Sequence, residues 1–246
     1  MDNSLRLKYL QAMGIDVWVS RTSALFAVSE LLPKTESPAD NVINEPNVLI
    51  NLQDDWKELE AEVAACMKCD LCQTRTQTVF GTGSKTADWM VIGEAPGQSE
   101  DEQGKPFVGK AGQLLTEMLR AIGLEREEVF ITNILKCRPP GNRDPKPDEA
   151  LNCSDYLKRQ RALIKPKIIL AVGRIAAQTL LKSDAPVGKL RGKVHDLDGT
   201  PLVVVYHPAY LLRSLIEKRK AWQDLQLALK TINEIKGETC AAGWIK

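Results

Sequence analysis

The chain has 246 residues, with 33 Lys and Arg against 32 Asp and Glu, 43% hydrophobic residues, 26% charged residues and 6 cysteines. That length can bury a sizeable core without staples, and the composition excludes collagen-like, coiled-coil or wholly disordered character. No apolar run approaches the roughly 20 residues of a membrane span, and the opening MDNSLRLKYLQAMGIDVW lacks the features of a secretory signal. A cytosolic location is therefore expected, where clustered cysteines point to metal or catalysis before disulfides.

In chain order, residues 1 to about 30 read as partly helical, with Leu5, Tyr9, Leu10 and Met13 at helical spacing, followed by the apolar patch Ile15, Val17, Trp18 and Val19. The stretch from Pro33 to Asp55 is rich in Pro, Asn and acid and reads as a linker without a core of its own. The expected division is an extension and acidic linker over 1–55, a folded domain over 56–236 and a tail over 237–246. The extension is expected to be poorly structured, its Trp18 patch either packing on the body, the favoured reading, or docking replication or repair proteins. A helical pattern opens at Trp56, with Leu59, Val63 and Cys66 on the same side. Beyond it, strands are predicted at Trp89–Glu94, Val129–Ile134, Lys167–Val172 and Leu202–Tyr206. Helices are predicted at Gly109–Ile122, Pro147–Ile164, Arg174–Lys182 and Lys218–Ile235. Buried β-branched runs separated by helices indicate an α/β fold with a parallel sheet covered on both faces. Ligands then bind beyond the carboxyl ends of the strands, which places GEAPGQSED, NILKCRPPGNR, GRIA and YHPAYLLR on one rim. Charge is uneven along the chain. Residues 1–65 hold 5 Lys and Arg against 11 Asp and Glu, whereas residues 66–236 hold 27 against 20. A basic body suits a nucleic-acid partner, and equally a mixed solvated surface.

Cys66 and Cys69 form C-x2-C, a spacing that lets two thiolates in one turn grip a metal site, and Cys72 repeats it. Cys137 and Cys153 follow, separated by 15 residues. Four thiolates suit tetrahedral zinc or a [4Fe–4S] cluster; the second pair is not the tight knuckle of a zinc ribbon, which favours iron–sulfur. Buried inert thiols are the alternative. Cys240, in the tail, reads as unliganded. The segment 93–115 has neither the dinucleotide G-x-G-x-x-G spacing nor a phosphate-loop motif, so nucleotide-cofactor binding is not expected.

Taken together, GEAPG, PFVGKAGQLL, ITNILKCRPPGNRDP and HPAYLLR, framed by Cys-x2-Cys and Cys-x15-Cys, resemble family 4 uracil-DNA glycosylases, the iron–sulfur class of that superfamily. The resemblance runs from about Cys66 to about Ile232. It implies a three-layer α/β sandwich with a central four-stranded, mainly parallel sheet. It also implies a [4Fe–4S] cluster on Cys66, Cys69, Cys137 and Cys153, with Cys72 a bystander. The implied activity is removal of uracil from single- or double-stranded DNA, leaving an abasic site, by a protein expected to be monomeric. A covalently trapping relative and a non-catalytic iron–sulfur or zinc module are the alternatives. The Arg-Arg-Ile-His insertion that marks the trapping class is missing here.

Residue by residue, the resemblance makes Phe107 the plate that stacks on the extruded base, where a bare reading would give a core Phe. Asn133 offers an amide matching uracil N3–H and O4; cytosine presents the opposite pattern and would leave buried groups unpaired. His207 is implied to face uracil O2 and to stabilise charge on the leaving base. Glu94, Ala95 and Pro96 border the base. Ala95 occupies the place where related enzymes carry a water-activating Asp, so Glu94, Glu100 and Asn142 are the candidates for positioning water or steadying the sugar cation. Leu211 or Leu212 is the expected wedge into the gap left by the flipped nucleotide. Arg213, Lys218, Arg219 and Lys220 suit phosphates, with Arg138, Arg143, Lys105 and Lys110 extending the basic rim. His195, the second of only two histidines, receives no role.

Overall fold

The computed structural model describes residues 52–237. The readings made for residues 1–51, the Trp18 patch and the partner-docking arm among them, and for the tail with Cys240, lie outside the described residues.

Helix α1 (Leu52–Ala64) begins four residues earlier than the pattern starting at Trp56 suggests, inside the stretch read as linker. It buries Trp56, Leu59 and Val63. A short helix, α2 (Leu71–Thr74), and strand β1 (Thr82–Gly83) lead to β2 (Trp89–Gly93), which is buried along its whole length. Helices α3 (Gln98–Gln103) and α4 (Lys110–Ala121) connect to β3 (Phe130–Asn133). Then come α5 (Pro147–Ile164), β4 (Ile168–Val172), α6 (Arg174–Leu181), α7 (Val187–Leu190) and the hairpin β5 (Val194–Leu197) with β6 (Thr200–Val205). Helices α8 (Pro208–Arg213) and α9 (Lys218–Lys236) close the domain. Proline at the first turns of α5 and α8 supplies the fixed φ those starts favour and gives up an N–H that has no helical partner there.

Among the described residues the sheet has six strands in the order β1-β3-β2-β4-β6-β5, two more than the four expected. The four expected strands are its central parallel core, β3-β2-β4-β6, and antiparallel β1 and β5 are added at the two edges. Period-2 alternation explains the layers. Met90, Ile92, Phe130, Ile169, Ala171, Leu202 and Val204 face one hydrophobic cluster with α1, α5 and α6. Trp89, Val91, Ile131, Leu170, Val203 and Val205 face the other with α4 and α9. The result is the three-layer sandwich. The missed edges carry weak signals: β1 is two residues long, and β5 has no buried position. The β5–β6 turn did leave a mark in the sequence, because Asp198-Gly199, both at positive φ, is the dipeptide a tight primed hairpin turn requires.

Among the described residues no helix is long and apolar enough to cross a membrane. The carboxyl ends of the central strands coincide: Gly93 pairs with Asn133, and Val172 with Val205. After β2 the chain goes to β3 on one side and later to β4 on the other, and such a reversal of strand order opens a crevice at the strand ends.

Candidate active site

That crevice is a cleft of about 740 Å³. Every sequence candidate for base contact or chemistry lines it: Glu94, Ala95, Pro96, Glu100, Phe107, Asn133, Asn142 and His207, with Arg213 at its margin.

Asn133 ends β3 and is buried, and its amide oxygen Oδ1 has no hydrogen-bond partner. A buried acceptor left open costs roughly 1–3 kcal/mol, so an unpaired one facing a cleft marks a place where a ligand donor belongs. Two neighbours leave room for it. A Cβ on Gly93 would collide with Asn133 Oδ1 and stand 2.6 Å from the Phe107 ring, so the strand end beside Asn133 admits only glycine. Gly173, at φ +92, begins the turn after β4, and a side chain there would press on His207.

Phe107 has φ 55, a left-handed conformation that a bulky residue adopts only when held. Several groups hold it. Glu100 Oε1 accepts from the backbone N–H of Val108 at 2.9 Å and of Gly109 at 3.1 Å, and Oε2 accepts from that of Gly97 at 3.1 Å. Arg126 donates to the Pro106 carbonyl, and burial lowers its pKa. The Glu100 carboxylate is thus committed to backbone donors that shape the wall of the cleft. Asn142, at φ 56, is exposed on the turn after Pro139, and its Oδ1 accepts from Arg138 Nε at 2.8 Å.

His207 follows β6, its ring 5.8 Å from that of Phe107 and inclined by 29°. Its Nδ1 accepts from the Ala209 backbone N–H at 3.1 Å, which leaves Nε2 as the protonated, donating nitrogen of a neutral ring. Burial, reinforced by Arg213 and opposed by Glu100, pushes its pKa down to about 4. Glu94 moves the other way, raised to about 7 by burial and by Asp144, with Arg174 opposing. Sequence reasoning passed over Arg174, Tyr206 and Tyr210, which also line the cleft. Arg174 lies in the GRIA rim segment, and its ion pair with Asp144 ties that rim to the turn after Asn142.

Beyond His207, Leu211 is only 1% exposed and packs in the core, so it is not available as a wedge. Leu212 is 43% exposed, and the following turn presents Leu215 and Ile216, the latter 85% exposed. Lys218, Arg219 and Lys220 stand exposed on the first turn of α9, Lys220 pairing with Glu217. Lys105, in the loop between α3 and α4, and Lys110, at the first position of α4, are exposed, whereas Arg143 is engaged by Glu149. His195 lies on β5 with Nε2 2.6 Å from the Leu190 carbonyl, a structural contact.

Behind the sheet, Cys66, Cys69, Cys137 and Cys153 line one small void together with Arg75 and Lys136. They come from the α1–α2 connection, the loop after β3 and α5, so three separate parts of the chain converge there. Arg75 Nη1 donates to Cys137 Sγ at 3.0 Å, and Nη2 to the Cys66 carbonyl at 2.8 Å. Burial raises the Cys69 and Cys153 thiols and pushes Cys137 up to about 11. Cys72 lies near Cys69 without lining the void. Among the described residues, no three Cys, His, Asp or Glu side chains stand close enough to hold one metal ion. Four thiols from separate parts of the chain thus border one void, with Arg75 and Lys136 at its edge.

Residues 80–226 match the family model described as the uracil DNA glycosylase superfamily. The chain is 41% identical over 189 residues to the type-4 uracil-DNA glycosylase of Archaeoglobus fulgidus, covering 74% of this chain and 93% of that protein. It is 49% identical over 160 residues to the type-4 enzyme of Saccharolobus solfataricus, covering 61% and 74%. To the type-5 uracil-DNA glycosylase of Pyrobaculum aerophilum it is 30% identical over 146 residues, covering 52% and 64%.

Proposed function

The chain belongs to the uracil DNA glycosylase superfamily, and from that premise we propose that it flips uracil out of DNA, hydrolyses its N-glycosidic bond and leaves an abasic site, the first step of base excision repair. The observation that carries this reading is Asn133 Oδ1, buried, unpartnered and set beside the Phe107 ring in the cleft. Uracil N3–H is the donor it lacks. Cytosine, whose N3 is an acceptor, would leave it unpaired, a penalty that a buried site turns into discrimination.

In the proposed mechanism the extruded ring stacks on Phe107, and Asn133 fixes its edge. As the glycosidic bond breaks, negative charge gathers on the base. His207 Nε2–H donates to O2 without itself carrying a charge, because a neutral donor placed in advance needs no reorganisation in the transition state. Glu94 is the proposed group that orients the attacking water or steadies the sugar cation. It lines the cleft, and a carboxyl with a pKa of about 7 is matched to proton transfer near neutrality. Glu100 and Asn142 then act on loop geometry, Glu100 through its three backbone partners. DNA phosphates would be held by Arg213, Lys218 and Arg219. Leu212 with Ile216, in place of the buried Leu211, would enter the vacated stack.

Cys66, Cys69, Cys137 and Cys153 would hold a [4Fe–4S] cluster, which when bound supplies cross-linking of three elements and hence folding free energy. The whole reading is tested by single-turnover release of uracil from single- and double-stranded DNA. Wild-type protein should release uracil and not cytosine. Asn133→Ala and His207→Ala should each be slower by at least tenfold, about 1.4 kcal/mol of barrier. No release from either substrate would overturn the proposal.

A further inference from the structure

One buried cation is used neither by the cleft chemistry nor as a cysteine ligand. Lys136 is 1% exposed and lies between Asn133 and Cys137 in sequence and in space. Its Nζ donates to Thr132 Oγ1 at 2.6 Å, to Gln160 Oε1 at 2.7 Å and to the Asn133 carbonyl at 2.8 Å. Three N–H bonds meet three acceptors, so an ammonium is fully satisfied there. The network is closed on its far side, where Thr132 Oγ1 and Gln160 Nε2 both donate to the Phe80 carbonyl at 2.9 Å.

None of those three partners is a carboxylate. An ammonium in the interior with neutral partners alone is unfavourable unless negative charge lies close by. The groups beside it that could carry negative charge are the sulfurs, as thiolates once they ligate a metal. Lys136 lines the same void as the four cysteines, and its backbone lies beside Cys153. One residue therefore touches the surroundings of the thiol ring with its main chain and the carbonyl of Asn133 with its side chain.

We propose that Lys136 is the positioning residue that couples the cysteine-bound cluster to the uracil-reading amide. Its ammonium balances the charge of the four-thiolate group, and the same ammonium holds the end of β3 so that Asn133 Oδ1 keeps its place in the cleft. The inference rests on the glycosylase reading above and on the four cysteines as ligands. It gives the cluster a part in base selection: the ring of sulfurs favours a cation at this point, and the cation fixes Asn133.

The test compares the full-length, iron-loaded protein with Lys136→Gln, which keeps N–H donors but not the charge, and Lys136→Met, which keeps neither. The first readout is the rate at which the visible absorbance bleaches in air with a chelator. The second is binding of an oligonucleotide bearing uracil on a 2′-fluoro sugar, which resists cleavage, against its cytosine counterpart. Outer-shell partners of metal ligands commonly change affinity by about tenfold or more. Both variants should bleach at least about threefold faster, and Lys136→Met should lose about tenfold in uracil preference, Lys136→Gln less. Bleaching of Lys136→Gln at the wild-type rate, or a wild-type uracil preference in Lys136→Met, would overturn the proposal. Should Lys136→Met fail to fold, the bleaching of Lys136→Gln decides alone. A wild-type protein that binds both oligonucleotides alike counts against the glycosylase reading, and bleaching still decides the charge-balancing role.

Discussion

Gly93 shows how much of this site is decided by a single missing atom. A methyl there would meet the Phe107 ring at 2.6 Å and crowd Asn133 Oδ1 as well. Gly93→Ala should therefore leave the fold in place while slowing single-turnover uracil release by at least about tenfold, because the Phe107 ring and the Asn133 amide are displaced together. Glu94 makes a second prediction at this scale. Its carboxyl is raised to about 7 mainly by burial, and in the proposed role it works in the ionised form, so the rate should climb with pH up to about 7 and level off above it. His207, lowered to about 4, adds no limb of its own between pH 5 and 8. Glu94→Gln should slow the reaction and flatten the profile; an unchanged profile would remove Glu94 from the chemistry. Stability runs the opposite way. Between the ordinary carboxyl value of 4.5 and about 7 the folded protein keeps a proton that the unfolded chain has released. Raising the pH through that window costs stability, a cost that Glu94→Gln avoids.

At the level of elements, the cleft is made from short segments held in unfavourable conformations by longer, regular ones. The Phe107 turn is fixed from the start of α3 by Glu100 and from the α4–β3 connection by Arg126. Without those bonds, φ 55 at a phenylalanine would relax toward ordinary backbone. The α8 segment divides its leucines by helical geometry. Leu211 turns inward onto the α4–α9 layer, while Leu212 and the turn carrying Ile216 turn out. Leu211→Ala should cost about 2–5 kcal/mol of stability as a core truncation. The double change Leu212→Ala and Ile216→Ala should leave the melting temperature unchanged and weaken binding to duplex uracil-DNA, with little effect on a single strand, where no stack has to be filled. The reverse pattern would return the wedge to Leu211.

For the molecule as a whole, the sheet separates two sets of candidate residues. Phe107 belongs to one hydrophobic layer and the cysteines to the other. The basic margin next to the cleft makes a measurable electrostatic claim. If Arg213, Lys218 and Arg219 each contact one phosphate, affinity for duplex should fall roughly 40-fold between about 50 and 200 mM salt. A flat dependence would take phosphate contact out of the account.

How much of this was legible beforehand differs from element to element. The central strands and the helix Pro147–Ile164 announce themselves through continuous apolar runs, a first-turn proline and helical spacing, all local signals. The edge strands do not, since two residues in β1 and an exposed β5 carry no burial pattern. The motifs that resemble family 4 glycosylases likewise supplied the residues of the cleft, because their order along the chain follows the order in which the strands reach one rim. What the sequence by itself determined was the parallel core, the rim and the identity of the groups gathered there. Tertiary structure alone decided which of those groups are free to act: Asn133 Oδ1 left open, Glu100 engaged by backbone donors, Leu211 turned inward and Lys136 set between the thiols and the amide. The physical reason is that type and spacing fix periodicity, whereas burial and hydrogen-bond satisfaction depend on partners as distant in the chain as Phe80 and Gln160, which only the folded sheet brings together.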